Sequence, residues 1–346
     1  MSVLNKIKTV LTTPIRDIEG RLKKGYYFLS LEISLTYLCN SRCTFCNIWK
    51  IYKENPNLLK KELSKEEWID FLSKNNKYLA WVSLTGGEPL LKDGAIDIIN
   101  YLLNNGKNVE ITTNAIAYKY IIGNLEKIKN KKKLFVGVSL DGPKEIHDKL
   151  RGVPGNFDNA IKLLEWLEQN NFNFGISVTI SYQNAPYIME LFEFLEKRGW
   201  IDKVSFRVAT ISQYYRNEQK IVITKEHIQS IKEALLKIYK GYPRFRKDKF
   251  YFGNLLFLEG KIDFDCVAGR NFLFIDPYGN VYPCLYRLDK KLGNIKENPN
   301  LLNYLGKFKR DCKCWSECHY LPARRSSTKE LLSYIWFRLF SNKKHL

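Results

Sequence analysis

The sequence lacks the features that mark membrane, exported and several nucleotide-binding proteins. No uninterrupted apolar run reaches the length of about 18 residues that predicts a membrane-spanning helix. The first apolar residues are interleaved with Lys6, Lys8 and Arg16, whereas a signal peptide has a single apolar block. No P-loop, Rossmann fingerprint or Ser–His–Asp arrangement is evident. These absences predict a cytoplasmic protein whose chemistry depends on other residues.

Composition and charge indicate a folded protein with an excess of cations. The 346 residues are 45% hydrophobic and 14% aromatic, which is typical of a chain with a substantial core. The formal net charge is +20, with basic runs at 129–133, 244–249 and 307–310. This charge suggests an anionic partner, namely RNA, an acidic membrane surface or a phosphorylated substrate. A lysine-rich composition spread over solvated faces explains the charge equally well.

The eight cysteines fall into two groups, one at 39, 43 and 46 and the other at 266, 284, 312, 314 and 318. A secreted disulfide framework is denser and shorter than this pattern. Clustered cysteines in a chain without an export signal predict metal binding in a reducing cytoplasm. We therefore expect no disulfides.

The first group lies in the segment CNSRCTFC, which we call the cluster loop (residues 39–46). Spacings of four and three let one short loop turn three sulfur atoms toward a common centre. Thiolates in such a loop suit an iron–sulfur cluster or zinc. Three thiolates leave one iron of a four-iron cluster open to a further ligand. The loop follows an apolar run at 31–36, so it lies at the carboxyl end of a predicted strand, where strand–helix folds carry their active sites.

Periodicity predicts an α/β fold with a partial (β/α)6 TIM-like barrel. Nearly continuous apolar strands alternate with helical patterns, which is typical of a parallel sheet. Six such units are fewer than the eight that close a barrel. The predicted strands are 31–36, 80–85, 109–113, 134–140, 174–181 and 203–209. The predicted helices lie near 64–77, 92–105, 117–130, 156–171, 185–198 and 225–241.

We divide the chain into four segments. Residues 1–28 form an amphipathic helical segment, and residues 29–242 form the barrel core. Residues 260–320, which we call the auxiliary module, are rich in turns and cysteines and predict a small α+β unit with a hairpin. Residues 326–346 predict an aromatic-rich amphipathic helix. This last helix either docks on the protein or binds peripherally at a membrane surface.

Polar and glycine residues follow several predicted strands and are candidate ligand contacts. Two adjacent glycines allow a ligand to approach the backbone, and a neighbouring carboxylate can accept hydrogen bonds from an ammonium group. Strand-end serine and aspartate can bind hydroxyl groups, although both also cap strand ends. We expect His147 to be structural, and Tyr214, Tyr215 and Arg216 follow the sixth strand as possible pocket residues. The candidates for ligand contact are Gly86, Gly87, Glu88, Asn114, Ser139, Asp141 and Arg151.

The spacing C-x3-C-x2-C, with Phe45 before the last cysteine, resembles the radical S-adenosylmethionine (SAM) superfamily. The resemblance implies a [4Fe–4S] cluster held by Cys39, Cys43 and Cys46, with SAM chelating the fourth iron. It assigns Gly86, Gly87 and Glu88 to the SAM amino group. It further suggests ribose contacts by Ser139 and Asp141, a carboxylate contact by Arg151, and a cofactor contact by Asn114. The superfamily core is a six-unit partial barrel, in agreement with the strand count.

The second cysteine group resembles the SPASM and twitch extensions of that superfamily. Cys266, twelve residues, Gly279, four residues and Cys284 match the opening of those extensions. The SPASM pattern has seven cysteines for two clusters, whereas five are present here. We therefore expect one auxiliary [4Fe–4S] cluster bound by Cys266, Cys284 and two of Cys312, Cys314 and Cys318. A structural zinc site is the alternative.

The resemblance implies an enzyme that cleaves SAM reductively to a 5′-deoxyadenosyl radical. The radical would modify an unactivated carbon of an unidentified substrate, which could be a peptide or protein, a lipid or another small molecule. A low-potential electron donor of the ferredoxin or flavodoxin type is then a required partner. Two alternatives remain: an RNA-modifying radical SAM enzyme and a non-catalytic iron–sulfur or zinc nucleic-acid-binding protein.

Overall fold

The computed structural model describes residues 29–218 and 223–340. The amphipathic segment predicted at 1–28 lies outside the described residues, as does the end of the last helix from 341. The side chains of 317–319, and with them Cys318, also lie outside the description. No helix within the described ranges is long and apolar enough to cross a membrane.

One nine-stranded sheet forms the centre of the fold, in the order β6-β5-β4-β3-β2-β1-β7-β8-β9. Strands β1 to β7 pair in parallel, β8 pairs antiparallel with β7, and β9 pairs antiparallel with β8. The strands are β1 (Leu29–Thr36), β2 (Leu79–Gly86), β3 (Asn108–Thr113), β4 (Leu134–Ser139), β5 (Phe174–Ile180), β6 (Val204–Val208), β7 (Phe272–Ile275), β8 (Asn280–Tyr282) and β9 (Gly293–Asn294). The predicted parallel α/β sheet with six βα units is confirmed.

The helices of the described residues are α1 (Ile51–Glu54), α2 (Lys65–Asn75), α3 (Ala95–Asn104), α4 (Tyr118–Leu125), α5 (Lys144–Arg151), α6 (Asn156–Gln169), α7 (Ile188–Lys197), α8 (Lys225–Gly241), α9 (Pro243–Arg246), α10 (Lys249–Leu258), α11 (Glu317–Ser326) and α12 (Thr328–Phe340). The helices between the barrel strands pack on the outer side of the sheet, whereas α11 lines the cavity inside it through Leu321, Pro322 and Arg325. Helix α2 begins with the capping box expected from the sequence, in which Ser64 and Glu67 bond each other's backbone N–H groups.

Helices α1, α5, α9, α10 and α11 were not predicted from the sequence, and two of them lie in stretches that we interpreted differently. Helix α5 lies inside the motif at 138–152 and has only two apolar residues, Ile146 and Leu150, so no apolar run marks it. Helix α10 occupies the stretch at 242–262 where we placed the domain boundary. Its sequence KFYFGNLLFL is apolar on every side, so no amphipathic period marks it.

Alternation along the strands separates an apolar outer layer from a polar interior. In β1, Leu31, Ile33 and Leu35 belong to the main hydrophobic core between sheet and helices. The intervening Ser30 and Glu32 line a cavity inside the curved sheet. This period of two is the ordinary consequence of strand geometry. The curved sheet therefore encloses a polar space, and that space lies below the cluster loop.

The auxiliary module continues the barrel sheet. The expected hairpin is present, since β7 pairs antiparallel with β8. However, β7 also pairs parallel with β1, from Ser30↔Phe272 to Ile33↔Ile275. Strand pairing therefore attaches the module directly beside the strand that precedes the cluster loop.

Helix α12 docks on the protein, which is one of the two arrangements that we expected for the C-terminal helix. The Phe337 and Phe252 ring centroids lie 5.5 Å apart. Lys249 forms a 2.8 Å ion pair with Glu330, whose side chain is almost fully buried. Leu332 and Trp336 stay exposed on this helix.

Candidate active site

The cluster loop is anchored on one side by the end of α5. Arg42 N–H donates to the Arg151 carbonyl and Thr44 N–H to the Leu150 carbonyl, both at 2.9 Å. The Ser41 hydroxyl lies 2.9 Å from Cys43 Sγ and 3.1 Å from the Arg151 carbonyl oxygen. These contacts tie residues more than 100 positions apart and fix the conformation of the loop.

The segment after β6 anchors the other side of the loop. Asn47 donates from its backbone to the Tyr215 carbonyl and from its side chain to the Arg216 carbonyl, both at 2.8 Å. The buried Asn217 donates to the Phe45 carbonyl at 2.9 Å. Tyr214 and Tyr215 thereby become a wall of the cavity under the loop, as we expected.

Gly86 and Gly87 let two strand ends meet at the cluster loop. Gly86 has φ +134°, and a Cβ there would lie 2.1 Å from the Thr36 carbonyl oxygen. A Cβ on Gly87 would lie 2.3 Å from the Leu38 oxygen and 2.8 Å from Cys39 Cβ. The Gly87 N–H donates to the Thr36 carbonyl at 2.8 Å. Glycine is therefore required at both positions by the approach of two backbones.

Glu88 is buried and held by three donors. Its carboxylate accepts hydrogen bonds from Thr113 Oγ1 at 2.9 Å, Asn114 N–H at 2.8 Å and Leu90 N–H at 3.4 Å. Burial raises the pKa of Glu88 to about 7, and the three hydrogen bonds act in the opposite direction. A cationic group beside it would favour the ionised form, which agrees with the predicted contact to the SAM ammonium group.

Arg151 is oriented by Asp141. Arg151 Nε donates to Asp141 Oδ2 at 2.7 Å, and the second carboxylate oxygen accepts from Thr179 N–H at 2.8 Å. Arg151 lines the cavity, whereas Asp141 is fully buried and does not. The structure thus gives no support to the expected ribose contact of Asp141, because both of its oxygens face other protein groups. The expectation that Arg151 meets the SAM carboxylate stays a prediction.

His147 is structural, in line with the sequence expectation. The ring is fully buried, and Nδ1 accepts from Asp141 N–H at 3.0 Å. The Asn156 side-chain amide lies 2.9 Å from Nε2. Burial, assisted by the charge of Arg151, holds the pKa of His147 well below its usual value. The neutral imidazole therefore supports the Asp141–Arg151 pair through its hydrogen bond with the Asp141 backbone.

Most of the predicted cofactor residues line one cavity of about 190 Å³, whereas the buried Glu88 and Asp141 do not. The residues that line it include Cys39, Cys43, Cys46, Phe45, Gly86, Gly87, Asn114, Ser139 and Arg151. Polar side chains on the inner side of the sheet extend the cavity downward, and among them are Glu32, Ser83, Glu110, Ser177, Ser205 and Arg207. Sequence reasoning missed this inner set, although the polar positions of the alternating strands were a usable signal.

The donor set under the cluster loop fits a [4Fe–4S] cluster with one open position. Among the described residues, three cysteines and no histidine line the cavity, and thiolate-only sets are typical of iron–sulfur clusters. Burial raises the pKa of Cys39 to about 12, so its thiolate requires a bound cation. Among the described side chains, no three His, Cys, Asp or Glu are arranged to hold a single metal ion.

The structure brings four cysteines of the second group together, and we call Cys266, Cys284, Cys312 and Cys314 the auxiliary site. Burial, then the nearby Cys266 and Cys312, raises the pKa of the Cys284 thiol. In contrast, a hydrogen bond with Cys314, assisted by Arg287, lowers the pKa of Cys312 to about 6. Four thiols complete the coordination of one [4Fe–4S] cluster. The expected ligand role of Cys318 stays a prediction, since its side chain is not described.

An aromatic core surrounds the auxiliary site. Cys284 belongs to a hydrophobic cluster with Phe250, Phe264, Trp315 and Tyr320. Trp315 Nε1 donates to the Phe250 carbonyl at 2.9 Å, and the two rings stack with centroids 6.0 Å apart. This core shields Cys284 from water and supports the site mechanically, whereas Cys312 and Cys314 line an open cavity.

Two family models match the chain. Residues 33–195 match the model described as the radical SAM superfamily, and residues 266–305 match SPASM, an iron–sulfur cluster-binding domain. Together with the partial barrel and the three-cysteine loop, these matches define a radical SAM enzyme. More particularly, the chain belongs to the radical SAM enzymes that carry a SPASM domain. Its cofactors are accordingly SAM, a [4Fe–4S] cluster and further iron–sulfur clusters.

Curated relatives share about a quarter of their residues with this chain. An AdoMet-dependent heme synthase of Methanosarcina barkeri is 27% identical, over 77% of this chain and 78% of the relative. The subtilosin biosynthesis protein AlbA of Bacillus subtilis is 26% identical, over 77% of this chain and 57% of the relative. The mycofactocin maturase MftC of Mycolicibacterium smegmatis is 26% identical, over 80% and 69%.

Solved structures share the fold. Streptococcus suis SuiB bound to S-adenosylmethionine has a TM-score of 0.62 at 20% identity, covering 83% of this chain and 68% of SuiB. Native anSMEcpe with bound AdoMet and the Kp18Cys peptide has a TM-score of 0.59 at 20% identity, covering 91% and 98%. At this identity the likeness establishes the architecture alone.

Proposed function

We propose that this enzyme cleaves SAM at the cluster loop and abstracts a hydrogen atom from an apolar part of a peptide or protein substrate. The observation that carries the proposal is a pair of neighbouring cavities whose walls reach from Phe45 to Cys312 and Cys314. We call this pair of cavities the side groove. One of them shares Phe45 with the SAM cavity, and the other borders the auxiliary site.

The side groove begins beside the cluster loop. A small cavity of about 70 Å³ is lined by Thr44 and Phe45 of that loop and by residues after β6. It shares wall residues with a larger cavity of about 560 Å³ that reaches Cys312 and Cys314. The shared residues are Ala209, Thr210, Ile211, Ile223 and Ile231. A substrate in the groove would lie between the two cysteine sites.

The walls of the side groove are mainly apolar. Val208, Ile228, Phe257 and Leu258 line the larger part, and Ile211 is 39% exposed. Apolar walls with a few polar groups are typical of ligand pockets. They favour an apolar segment of the substrate over a charged one in the larger part of the groove.

The peptide class is supported by what several relatives are named for. AlbA is named for bacteriocin subtilosin biosynthesis, and SkfB of Bacillus subtilis is named as a sporulation killing factor maturation protein. MftC is named as a mycofactocin maturase. A groove that is open along its length accommodates a polypeptide segment. The RNA-modifying and non-catalytic alternatives are not favoured, because the relatives named here are enzymes of other kinds.

The chemistry that the bound cluster and SAM supply is one-electron cleavage of SAM to methionine and a 5′-deoxyadenosyl radical. The thiolates of the cluster loop would hold the iron, and the loop's hydrogen bonds fix their positions. Glu88 would accept from the SAM ammonium group, and Arg151 would donate to its carboxylate. Asp141 keeps the Arg151 guanidinium in orientation. Holding the amino and carboxylate groups of the methionine part of SAM restricts the geometry of the reacting bond.

Side chains around the cavity would protect the radical from water and competing hydrogen donors. Tyr214 is almost fully buried and packs against Phe274, with ring centroids 5.3 Å apart. Tyr215 lies edge-on to it at 5.2 Å. This aromatic wall closes the side of the cavity that faces the auxiliary module. The substrate would then enter only along the side groove.

An anaerobic assay tests the proposal. The reconstituted protein is reduced with dithionite, SAM is added, and 5′-deoxyadenosine is measured by mass spectrometry with and without a library of apolar synthetic peptides. We expect active peptides to raise its formation and to lose a hydrogen atom. The Cys43→Ala variant should give no 5′-deoxyadenosine with any peptide.

Two variants of α8 test the side groove itself. Ile228→Trp fills the groove, whereas Leu236→Trp adds the same side chain outside it, at a position that is 38% exposed. We expect Ile228→Trp to abolish peptide modification and Leu236→Trp to preserve it. Wild-type modification by Ile228→Trp would exclude the groove as the substrate path.

A further inference from the structure

One buried carboxylate contacts the segments on both sides of the cluster loop. Glu62 lies shortly before α2, and its side chain is only 2% exposed. Its Oε1 atom accepts hydrogen bonds from the Tyr37 backbone N–H at 3.1 Å and from the Tyr52 hydroxyl. Tyr37 precedes the first loop cysteine by two residues, and Tyr52 follows the last one by six. Glu62 therefore connects the segment that enters the cluster loop with the segment that leaves it.

The other oxygen of this carboxylate reaches the segment after Glu88. Lys92 Nζ donates to Glu62 Oε2 at 2.9 Å, and the lysine side chain is 11% exposed. Lys92 follows a short helical turn (Pro89–Leu91) that Glu88 caps. Within it, the Leu91 N–H donates to the Glu88 carbonyl at 3.0 Å. This turn fixes the Lys92 backbone relative to Glu88, so the ion pair positions Glu88 as well.

We call Glu62, Tyr37, Tyr52 and Lys92 the Glu62 junction. Burial, followed by the hydrogen bond to Glu62, raises the pKa of Tyr52, so its hydroxyl stays protonated and can donate. A buried ion pair adds little stability compared with apolar side chains of the same size, because both charges lose their hydration. A fully satisfied buried network does, however, make the segments that carry it rigid relative to one another.

The auxiliary module holds the junction in place. The Leu63 N–H, next to Glu62, donates to the Pro277 carbonyl at 2.8 Å. The Tyr278 hydroxyl donates to the Tyr52 hydroxyl oxygen at 3.5 Å. The junction is thus attached to the hairpin of the auxiliary module as well as to the barrel.

Backbone hydrogen bonds fix only part of this arrangement. The Gly87 N–H donates to the Thr36 carbonyl and the Glu88 N–H to the Leu38 carbonyl, both at 2.8 Å. Both acceptors lie before the first loop cysteine, so these bonds do not reach the end of the loop. The junction adds a contact from Tyr52, beyond the last loop cysteine, to the segment of Glu88.

We propose that Glu62 is a positioning residue for SAM, which sets the cluster loop and Glu88 at the separation that SAM requires. This inference rests on the SAM contacts of the proposed function, in which the loop cysteines hold the cluster and Glu88 accepts from the SAM ammonium group. SAM would then bridge the same two segments that the junction joins. Glu62 does not line the SAM cavity, so it acts through the other three residues of the junction and takes no part in making or breaking bonds.

Two buried ion pairs of nearly equal geometry allow a matched test. The Lys92–Glu62 pair is 2.9 Å long, with side chains that are 11% and 2% exposed. The Lys249–Glu330 pair is 2.8 Å long, with side chains that are 13% and 1% exposed. The test variant combines Glu62→Gln with Lys92→Met, and the control combines Glu330→Gln with Lys249→Met. Neither variant leaves a buried charge unpaired, whereas the single variant Glu62→Gln does.

SAM affinity, cluster spectrum and stability are measured on the reconstituted holoenzyme under anaerobic conditions. We expect the test variant to bind SAM about ten-fold more weakly in titration calorimetry, in the range of other lost supporting contacts. SAM should also change the electron paramagnetic resonance spectrum of its reduced cluster differently from wild type. Its iron content and its urea unfolding midpoint should stay near the wild-type values, since both charges are removed together. The control should bind SAM within about two-fold of wild type.

Tyr52→Phe is a milder variant that keeps the ion pair and removes only the donation to Glu62. It tests the junction where the double variant folds poorly. We expect it to weaken SAM binding several-fold and to leave the iron content unchanged, because the end of the cluster loop then loses its link to Glu62.

The remaining outcomes overturn the proposal. Wild-type SAM binding by the test variant, with weak binding by Glu62→Gln alone, would make the junction a stabilising element only. Loss of cluster iron would assign the junction to the cluster instead of SAM, and equal weakening in the control would assign the effect to any buried ion pair.

The Glu88→Gln variant distinguishes failure of this inference from failure of the proposed function. If Glu88→Gln binds SAM normally, the SAM contact of the proposed function is wrong, and the inference fails with it. If Glu88→Gln binds SAM weakly and the Glu62 variants bind it normally, the inference alone fails.

Discussion

The cluster loop and the auxiliary site hold their sulfur atoms in contrasting surroundings. In the cluster loop, backbone hydrogen bonds from α5 and from the segment after β6 fix three cysteines around an open cavity. In the auxiliary site, four cysteines lie against an aromatic core that includes Phe250 and Trp315. Backbone hydrogen bonds hold the first site in place, whereas side-chain packing holds the second.

This contrast shows how one chain gives two cysteine sites different surroundings. An open coordination position is useful only where a ligand can reach it, so the cluster loop borders a cavity. A fully coordinated cluster needs no open position, and burial of its ligands affects its reduction potential.

Replacing Cys43 should abolish the reaction and leave the auxiliary site intact. The Cys43→Ala variant keeps only two thiolates in the cluster loop, too few to hold the reactive cluster. We expect 5′-deoxyadenosine formation to fall at least a thousand-fold, in the range of a lost catalytic group. Bound iron should fall by the content of one cluster. Loss of all iron would mean that the two sites assemble together.

Replacing Cys284 should produce the converse result. This thiol is buried in the aromatic core, so Cys284→Ala removes a ligand and leaves a small cavity. We expect the auxiliary iron to be lost and peptide modification to stop, while SAM cleavage without peptide continues within about ten-fold of wild type. Electron paramagnetic resonance of the reduced protein should retain the cluster-loop signal. Its disappearance would contradict the independence of the sites.

Arg151 lies at the cluster loop and Arg310 lies at the auxiliary site. We expect replacement of Arg151 to cost more stability than replacement of Arg310. Arg151→Met leaves Asp141 buried without its cation, which costs about 3–5 kcal/mol of the free energy of unfolding. It should also weaken SAM binding. Arg310 is half-buried and donates to the Cys312 and Phe264 carbonyls, so Arg310→Met should cost about 1 kcal/mol. Urea unfolding and SAM titration measure both effects, and equal costs would refute the distinction.

Adding a methyl group to a glycine beside one of the two sites should perturb that site and leave the other unchanged. Gly87→Ala would press on Cys39, and Gly253→Ala would press on Trp315, whose ring lies 2.1 Å from the added Cβ. Each should cost about 1–3 kcal/mol. We expect the first to impair SAM cleavage and the second to impair only retention of the auxiliary iron. Gly123→Ala is the control, because it meets nothing within 4 Å in α4 and should stabilise the protein slightly.

Lowering the pH should reduce the free energy of unfolding through His147, which supports the Asp141–Arg151 pair. The pKa of His147 is held well below its usual value by burial, so the folded protein stays neutral there while the unfolded chain takes up a proton below about pH 6.5. Stability is therefore lost as pH falls, by up to about 1.4 kcal/mol per pH unit. Urea unfolding of His147→Asn between about pH 5 and pH 7 should show a shallower slope. An unchanged slope would assign the acid sensitivity to other groups.

Much of the fold followed from local patterns in the sequence. Apolar strands alternating with helices predicted the six βα units, and the hairpin around Gly279 was recognised from its turn residues. Helix α10 escaped notice, because it is apolar on all sides and carries no amphipathic period. The pairing of β7 with β1 was also missed, since it joins segments some 240 positions apart in the numbering.

By itself the sequence determined the class of the enzyme, because the ligands of the cluster loop lie within eight consecutive residues and local spacing specifies their chemistry. Only the tertiary structure decided that Asp141 orients Arg151, that four cysteines lie together in the auxiliary site, and that two cavities with shared walls lie between Phe45 and Cys312. These contacts connect distant segments, and their geometry depends on how strands and helices pack. Local spacing is encoded in neighbouring residues, whereas packing depends on the whole chain.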